Sequence, residues 1–338
     1  MKKRNKGEWT EVYSLLKIIN SRQIPLSTAE HEPGPSSIRV DKIHNGDGLT
    51  FDLRTEGKVK IGSEVHDVKD FVPNALVEEL KESIVSGKGR TFEVPIVREF
   101  ERRYNIELCK AGSNKKADIV LDIAIGDKLF ERQGFGVKSY LGKPPTLVNS
   151  STHTNFVFRV NGVSKDMLAN IKGLPKLSQR LKALGGASNL EFVRVDSDVF
   201  KGNLDLSHPE LCETLAAMQV EYYINRKSNL LENLAACGKA GSSIAQSDQI
   251  KKFLMDYLLG FFPSKPWCGE RSAHGSIEVK KDGPILAFHE SSPDEFGSYL
   301  LKHTKFDTPH SRNKFGSPYL SQSSGDMMIK LNLQVRFI

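Results

Sequence analysis

Asp118 and Lys138 stand on the two arms of a segment, KADIVLDIAIGDKLFERQGFGVKSYLG, whose pattern predicts one β-hairpin. A carboxylate able to hold a divalent cation, beside a lysine able to orient a water, suits hydrolysis of a phosphodiester. The first arm, Ala117 to Ile125, alternates apolar Ile119, Leu121, Ile123 and Ile125 with Asp118 and Asp122, the period of a half-buried strand. Gly126, Asp127 and Lys128 supply turn chemistry. The second arm, Gln133 to Tyr140, puts Phe135 and Val137 on one face and Lys138 on the other. With the turn centred near Lys128, Asp118 falls opposite Lys138 or within two positions of it, close enough to share a site. Asp122 is expected to face Gly134, about 13 Å further along the strand from the lysine, so Asp118 is the preferred ligand. An aspartate followed at a distance by Gly-Val-Lys also occurs in ordinary hairpins with a solvated edge, so the flanking segments must carry part of the argument.

Lys6-Gly7-Glu8-Trp9-Thr10-Glu11 opens a helix with Trp9, Val12, Leu16 and Ile19 at helical spacing to about Asn20. Glu8 and Glu11 lie on an adjoining stripe, where either can lean over a site in the sheet beneath or simply favour the helix dipole. Pro33 to Gly62 is turn-rich and reads as a small β-rich insert or flap, with short strands around Ile38 to Ile43 and Leu49 to Leu53. Helices are expected from Asn74 to Val85 and through Arg98 to Tyr104, and a strand from Thr154 to Val160. After the hairpin, a run of small hydrogen-bonding residues includes Lys143, Asn149, Ser150, Thr152 and Asn155; it suits contact with phosphates or base edges and equally fits a plain polar loop. Helices from Lys165 to Ile171, Lys176 to Leu184 and Asp248 to Phe262 follow, and Ser207-x-x-Glu210 reads as a capping box opening a helix through Tyr223. Near the end, Ile277 to Val279 and Ile285 to His289 flank a turn, Ser292-Pro293 opens a helix to about His303, and a last strand spans Met327 to Phe337. Between them, Arg312, Asn313 and Lys314 form a basic loop, and arginine is well shaped for bidentate contact with guanine; such clusters are also often merely solvated.

Composition narrows the class. The 338 residues carry 48 Lys plus Arg against 41 Asp plus Glu, a net charge of +7 that favours a polyanionic partner without requiring one. With 38% hydrophobic residues the chain can bury a large core. Apolar runs such as Leu258 to Pro263 are far too short to span a membrane, and no apolar signal core follows Met1 to Lys6, so a cytoplasmic protein is expected. Cys109, Cys212, Cys237 and Cys268 are scattered, with no spacing for zinc or a redox pair. A metal-independent phosphodiesterase of the His-x-Lys-x₄-Asp type fails, because after His303 and Lys305 the required acid is His310. A non-catalytic DNA-binding protein and a structure-specific or repair nuclease remain as alternatives.

The stretches NKGEWTEVYSLLK, KADI, GVKSYLGKPPTLVNSSTHTNFVF, KPWCGE, TKFDTPHSRNKFG and KLNLQVRF, in that order, resemble the HpaII family of type II restriction endonucleases. The resemblance implies an α/β (α+β) fold with the PD-(D/E)XK nuclease core, a central mixed sheet flanked by helices. It implies Mg²⁺-dependent cleavage of double-stranded DNA at CCGG, leaving 5′-phosphate and 3′-hydroxyl ends. It marks Asp118 and Lys138 as catalytic, supported by Glu11 or Glu8, with the metal on Asp118, the Val137 carbonyl and Glu11. DNA contacts are expected from Ser139, Lys143, Asn149, Ser150, Thr152, Asn155, Arg271, Arg312, Asn313 and Lys314, and a palindromic target suits a homodimer. Gly136 stands where that core places its second acid, so a carboxylate from elsewhere must take the role. The expected organisation is a catalytic part at 1–163, a helical part at 164–265 and a recognition part at 266–338.

Overall fold

The protein is described from a computed structural model, which covers residues 3–46, 48–108, 116–163, 170–171, 173–237 and 243–338. It divides into two compact units, residues 1–145 with 271–296 and residues 146–270 with 297–338. The expected succession of three segments is therefore not followed. Residues 146–163 belong to the second unit, and 271–296 return to the first because a parallel strand pair needs a long crossover between its members.

The first unit opens with helix α1 (Lys6–Ser21) and strands β1 (Gln23–Ser27), β2 (Pro33–Asn45), β3 (Leu49–Asp52), β4 (Lys58–Ile61) and β5 (Glu64–Asp67). Helices α2 (Val68–Phe71), α3 (Asn74–Ser86) and α4 (Pro95–Arg103) precede the hairpin β6 (Ile119–Ile125) and β7 (Lys128–Ser139). Strands β8 (Thr146–Val148), β9 (Asn155–Val160) and β10 (Leu190–Val195) lie in the second unit, and β11 (Gly275–Val279) with β12 (Ile285–His289) complete the first. The second unit ends with β13 (Thr304–Phe306), β14 (Tyr319–Leu320), β15 (Met327–Asn332) and β16 (Val335–Phe337).

Nine strands of the first unit form one mixed sheet, ordered β1-β12-β11-β7-β6-β2-β3-β4-β5. Because β1 also pairs with β2, the strands from β1 through β12, β11, β7 and β6 to β2 close on themselves. Strand β7 is thus central, antiparallel to β6 and parallel to β11. Ile119, Leu121, Ile123, Phe135, Ile277 and Val279 turn one face of these strands into a core shared with α1. The second unit holds a sheet ordered β10-β9-β15-β14 and a smaller one ordered β13-β16-β8.

Helix α1 carries two of the candidate acids, and its amino end is tightly fixed. Asn5 caps it, accepting from the Glu8 amide at 3.0 Å, while the Glu8 carboxylate accepts from the Asn5 amide at 2.7 Å. Trp9, Val12, Leu16 and Ile19 are fully buried, as their spacing predicts. Arg4 lies over the Trp9 ring at 4.9 Å and pairs with Glu101 at 2.9 Å. Truncating Trp9 to Ala is expected to cost about 3–5 kcal/mol and to loosen this end of the helix.

Three local readings change. The turn-rich region after Pro33 is no flap: β2 runs through it and pairs with β1, β3 and β6, because its buried Ile38, Val40 and Ile43 satisfy the sheet's inner face. Ser207 opens no helix; it ends the helix Asp198–Ser207 and donates its hydroxyl to Asp256 at 2.9 Å, and the next helix begins at Leu211. The last strand is two, β15 and β16, which join different sheets. The helix expected at Lys165–Ile171 falls largely outside the described residues, as does Cys109.

Candidate active site

The hairpin turns at Gly126 and Asp127, one position earlier than its composition suggests, and Ile125 pairs with Lys128. A bulge follows. Arg132 takes a left-handed backbone, φ 50°, and the register slips by one between Leu121 and Ile123. Ile119 then pairs with Phe135, so the next step along the strand sets Asp118 opposite Gly136, two positions from Lys138. Val120, and not Asp122, faces Gly134. Asp122 is occupied elsewhere, accepting from the Arg132 amide at 2.9 Å and lying 2.8 Å from His44 Nε2 and 3.5 Å from Lys42. Burial raises its carboxyl, but the Arg132 amide, the hydrogen bond with His44 and the neighbouring Lys42 outweigh it and hold it below the ordinary range.

Gly136 is the geometric centre of the site. A Cβ built there lies 3.9 Å from Asp118 Oδ2, 3.9 Å from Lys138 Nζ and 3.1 Å from the Lys116 carbonyl. The missing side chain therefore leaves open a point between the acid and the amine. Val137 donates its amide N–H to Asp118 Oδ2 at 2.7 Å and so fixes the carboxylate. Burial raises the Asp118 carboxyl, with the Lys138 charge and the Val137 amide opposing it.

Glu11 belongs to the same electrostatic cluster. Burial, then the negative charges of Asp118 and Glu8, push its carboxyl up from 4.5 to about 8, against the pull of Arg4 and Lys138. The half-buried carboxyl of Glu11 thus responds to the charge of Asp118, and Mg²⁺ commonly takes one or two carboxylates and completes its shell with water and phosphate oxygens. Among the described residues no group of three or more His, Cys, Asp or Glu side chains converges, so such a shell would need backbone or solvent oxygens. Glu8 is exposed and engaged in the helix cap.

Lys116 escapes a motif-based reading. Burial, then the like charge of Lys138, lowers its amine from 10.5 to about 7, which places it in the same cluster. Its signal in the sequence is its place two residues before Asp118, in step with the alternation that continues into β6.

The expected DNA contacts are dispersed. Lys143, Asn149, Thr152, Arg312 and Lys314 are exposed, and Ser150 is half-buried. Ser139 accepts from the Thr10 hydroxyl at 3.0 Å, and Arg271 lies 3.7 Å from Glu290. Asn155 and Asn313 are buried; the Asn155 amide donates to the Asn313 carbonyl at 3.0 Å and accepts from Asn332 at 2.7 Å. The Asn155 side chain serves the fold, because a buried amide must find its partners internally.

Acids and amines gathered from α1, from the residues just before β6 and from β7 suit an enzyme that hydrolyses an anionic ester. The family model described as HpaII restriction endonuclease matches residues 5–337. The type II restriction enzyme HpaII of Haemophilus parainfluenzae is 32% identical over 358 aligned positions, covering 99% of this chain and 98% of that protein. No solved structure matches the chain. The chain belongs to the HpaII restriction endonuclease family, and its class is that of a site-specific deoxyribonuclease. This sets aside the non-catalytic and repair-nuclease alternatives. No helix among the described residues is long and apolar enough to cross a membrane.

Proposed function

We propose that this chain cuts both strands of DNA at a short palindrome, CCGG by the family resemblance, in a Mg²⁺-dependent reaction leaving 5′-phosphate and 3′-hydroxyl ends, on a PD-(D/E)XK core. The observation that carries the proposal is the point at Gly136 lying 3.9 Å from both Asp118 Oδ2 and Lys138 Nζ. Asp118, Glu11 and the Val137 carbonyl would hold the ion. When bound, Mg²⁺ supplies charge neutralisation at the phosphate and stabilises the departing oxygen. The Val137 amide keeps Asp118 in one orientation. Lys138 orients the attacking water, helps take its proton and adds positive charge where the transition state gathers negative charge. Glu11 supplies the second carboxylate that Gly136 does not. The exposed Lys143, Asn149, Thr152, Arg312 and Lys314 are the groups available to DNA, and two chains on a twofold site fit a palindromic target. A digest of a sequenced plasmid with Mg²⁺ and with a chelator, followed by end mapping, tests the reading. One recurrent cut site with Mg²⁺ alone is expected; cleavage that ignores the chelator, or cuts without a common sequence, overturns it.

A further inference from the structure

Strand β11 places Glu278 beside Lys138 of β7 and Ser276 beside Gly136, in an unbroken parallel register from Gly275–Phe135 to Val279–Ser139. Residues paired across neighbouring strands project to the same face. Glu278 and Ser276 therefore share the face that carries Lys138 Nζ and the opening at Gly136. The Ser276 hydroxyl donates to Glu278 Oε1 at 2.6 Å, which fixes the carboxylate, and Glu278 is 0% exposed. On its other side Glu278 pairs with Leu286, itself buried and without charge.

A carboxylate removed from water is costly unless cations and hydrogen bonds compensate it, and for packing alone an apolar side chain of the same volume often serves as well. The alternate residues of β11, Ile277 and Val279, are apolar and fill the opposite face. An acid at 278 thus meets no demand of the core, and the adjacent position on the neighbouring strand is that of Lys138. A lysine chain is flexible, and one that must orient a water gains from an anion that limits where its ammonium rests.

We propose that Glu278 is a positioning residue of the cleavage site: fixed by Ser276, it holds the Lys138 ammonium toward the opening at Gly136, where the attacking water sits. This rests on the assignment of that water to Lys138. The isosteric Glu278→Gln keeps a group able to bond Ser276 and removes the charge. It is expected to slow single-turnover cleavage about 10- to 100-fold, the scale of a misplaced reacting group. DNA affinity without metal and the Mg²⁺ midpoint should stay within about twofold. In a Lys138→Ala background the same change should cost nothing further, since residues acting as one unit are not additive. Ser276→Ala should show a smaller loss with the same pattern, and it carries the test if Glu278→Gln does not fold. An unchanged rate, a full additional loss in the Lys138→Ala background, or a raised Mg²⁺ midpoint marking Glu278 as a ligand overturns the proposal. Lys138→Ala cutting at the normal rate would instead overturn the assignment of the water to Lys138.

Discussion

Asp118 Oδ2 accepts the amide N–H of Val137 at 2.7 Å, so the backbone just beyond Gly136 fixes the orientation of the acid that immediately precedes β6. A carboxylate held by a strand amide loses little freedom when it takes up a ligand, because its rotamer is already set. The same bond ties the two halves of the site, since any shift of β7 moves both Lys138 and its partner acid.

From this arrangement, Asp118→Ala and Lys138→Ala are each expected to lower cleavage by about 10²–10⁴-fold, the range for losing a group that acts on proton transfer or charge. Binding of the DNA target should remain largely intact. Cleavage rates and gel-shift affinities of the two variants check this; wild-type cutting by either one shows the site to lie elsewhere.

Glu11 and Glu8 are expected to separate. Glu8 spends its carboxylate on the Asn5 amide, whereas Glu11 is pushed up to about 8 by burial and by Asp118 and Glu8. Glu11→Gln should cut slowly and need more Mg²⁺, whereas Glu8→Gln, whose amide oxygen can still accept from the Asn5 amide, should fold and cut nearly normally. Magnesium titrations of cleavage, with melting curves of both variants, distinguish them. Equal effects on the Mg²⁺ requirement would remove Glu11 from the metal site.

Much of this was legible in the residues and some was not, for identifiable reasons. The capped stripe of α1, the hairpin of β6 and β7, and the hairpin of β11 and β12 follow from local periodicity and turn chemistry. The bulge at Arg132 does not, because a left-handed arginine carries no compositional mark, yet it decides that Asp118 faces Gly136. Strand β2 passes through Pro33-Gly34-Pro35, a turn signal overridden by pairing with β1 and β6. Glu278 lies 140 positions after Lys138 and meets it only through a parallel crossover, which short-range patterns do not report.

His289 is expected to give the first unit a pH-dependent stability. It packs against Phe130 and Phe135 at 5.3 and 5.9 Å, within reach of Gln133 and Ser291, and burial, then His274, lowers it from 6.5 to about 4. A depressed folded value means the stabilisation is complete above 6.5 and is lost as the pH falls toward 4. The loss is about 2–3 kcal/mol by linkage. Urea titrations at pH 7.5 and 4.5 should show the wild type losing more than His289→Gln over that interval; identical losses would show that His289 does not carry it.

Arg312 and Lys314 are expected to differ in kind. Both are exposed on a loop pinned through the Asn313 carbonyl by Asn155 at 3.0 Å and through the Gly316 carbonyl by Arg180 at 3.0 Å. Such a preorganised loop can present one arginine to a base edge. Arg312→Ala should relax sequence preference by about 1–3 kcal/mol, and Lys314→Ala should weaken all DNA alike and reduce the salt slope by about 1. Cleavage of a library of near-cognate sites, with affinities over a salt series, measures both. An unchanged cleavage pattern for Arg312→Ala would exclude it from base reading.

Gly136 offers a direct test of where the second acid resides. A Cβ there lies 3.1 Å from the Lys116 carbonyl, so a side chain fits only if that backbone gives by a few tenths of an ångström, but beyond it the space opens between Asp118 and Lys138. A glutamate at this position would aim its carboxylate where Glu11 is proposed to supply one. Gly136→Glu alone adds a further acid where Asp118 already raises Glu11, and is expected to slow cleavage and shift the Mg²⁺ requirement. Combined with Glu11→Gln, it restores the count of two acids. The double variant should therefore cut faster than Glu11→Gln alone, by about tenfold if the new carboxylate recovers roughly 1.4 kcal/mol of the lost transition-state stabilisation. Single-turnover rates of the four proteins in that cycle decide it: additive losses would mean that Glu11 and position 136 do not serve the same metal.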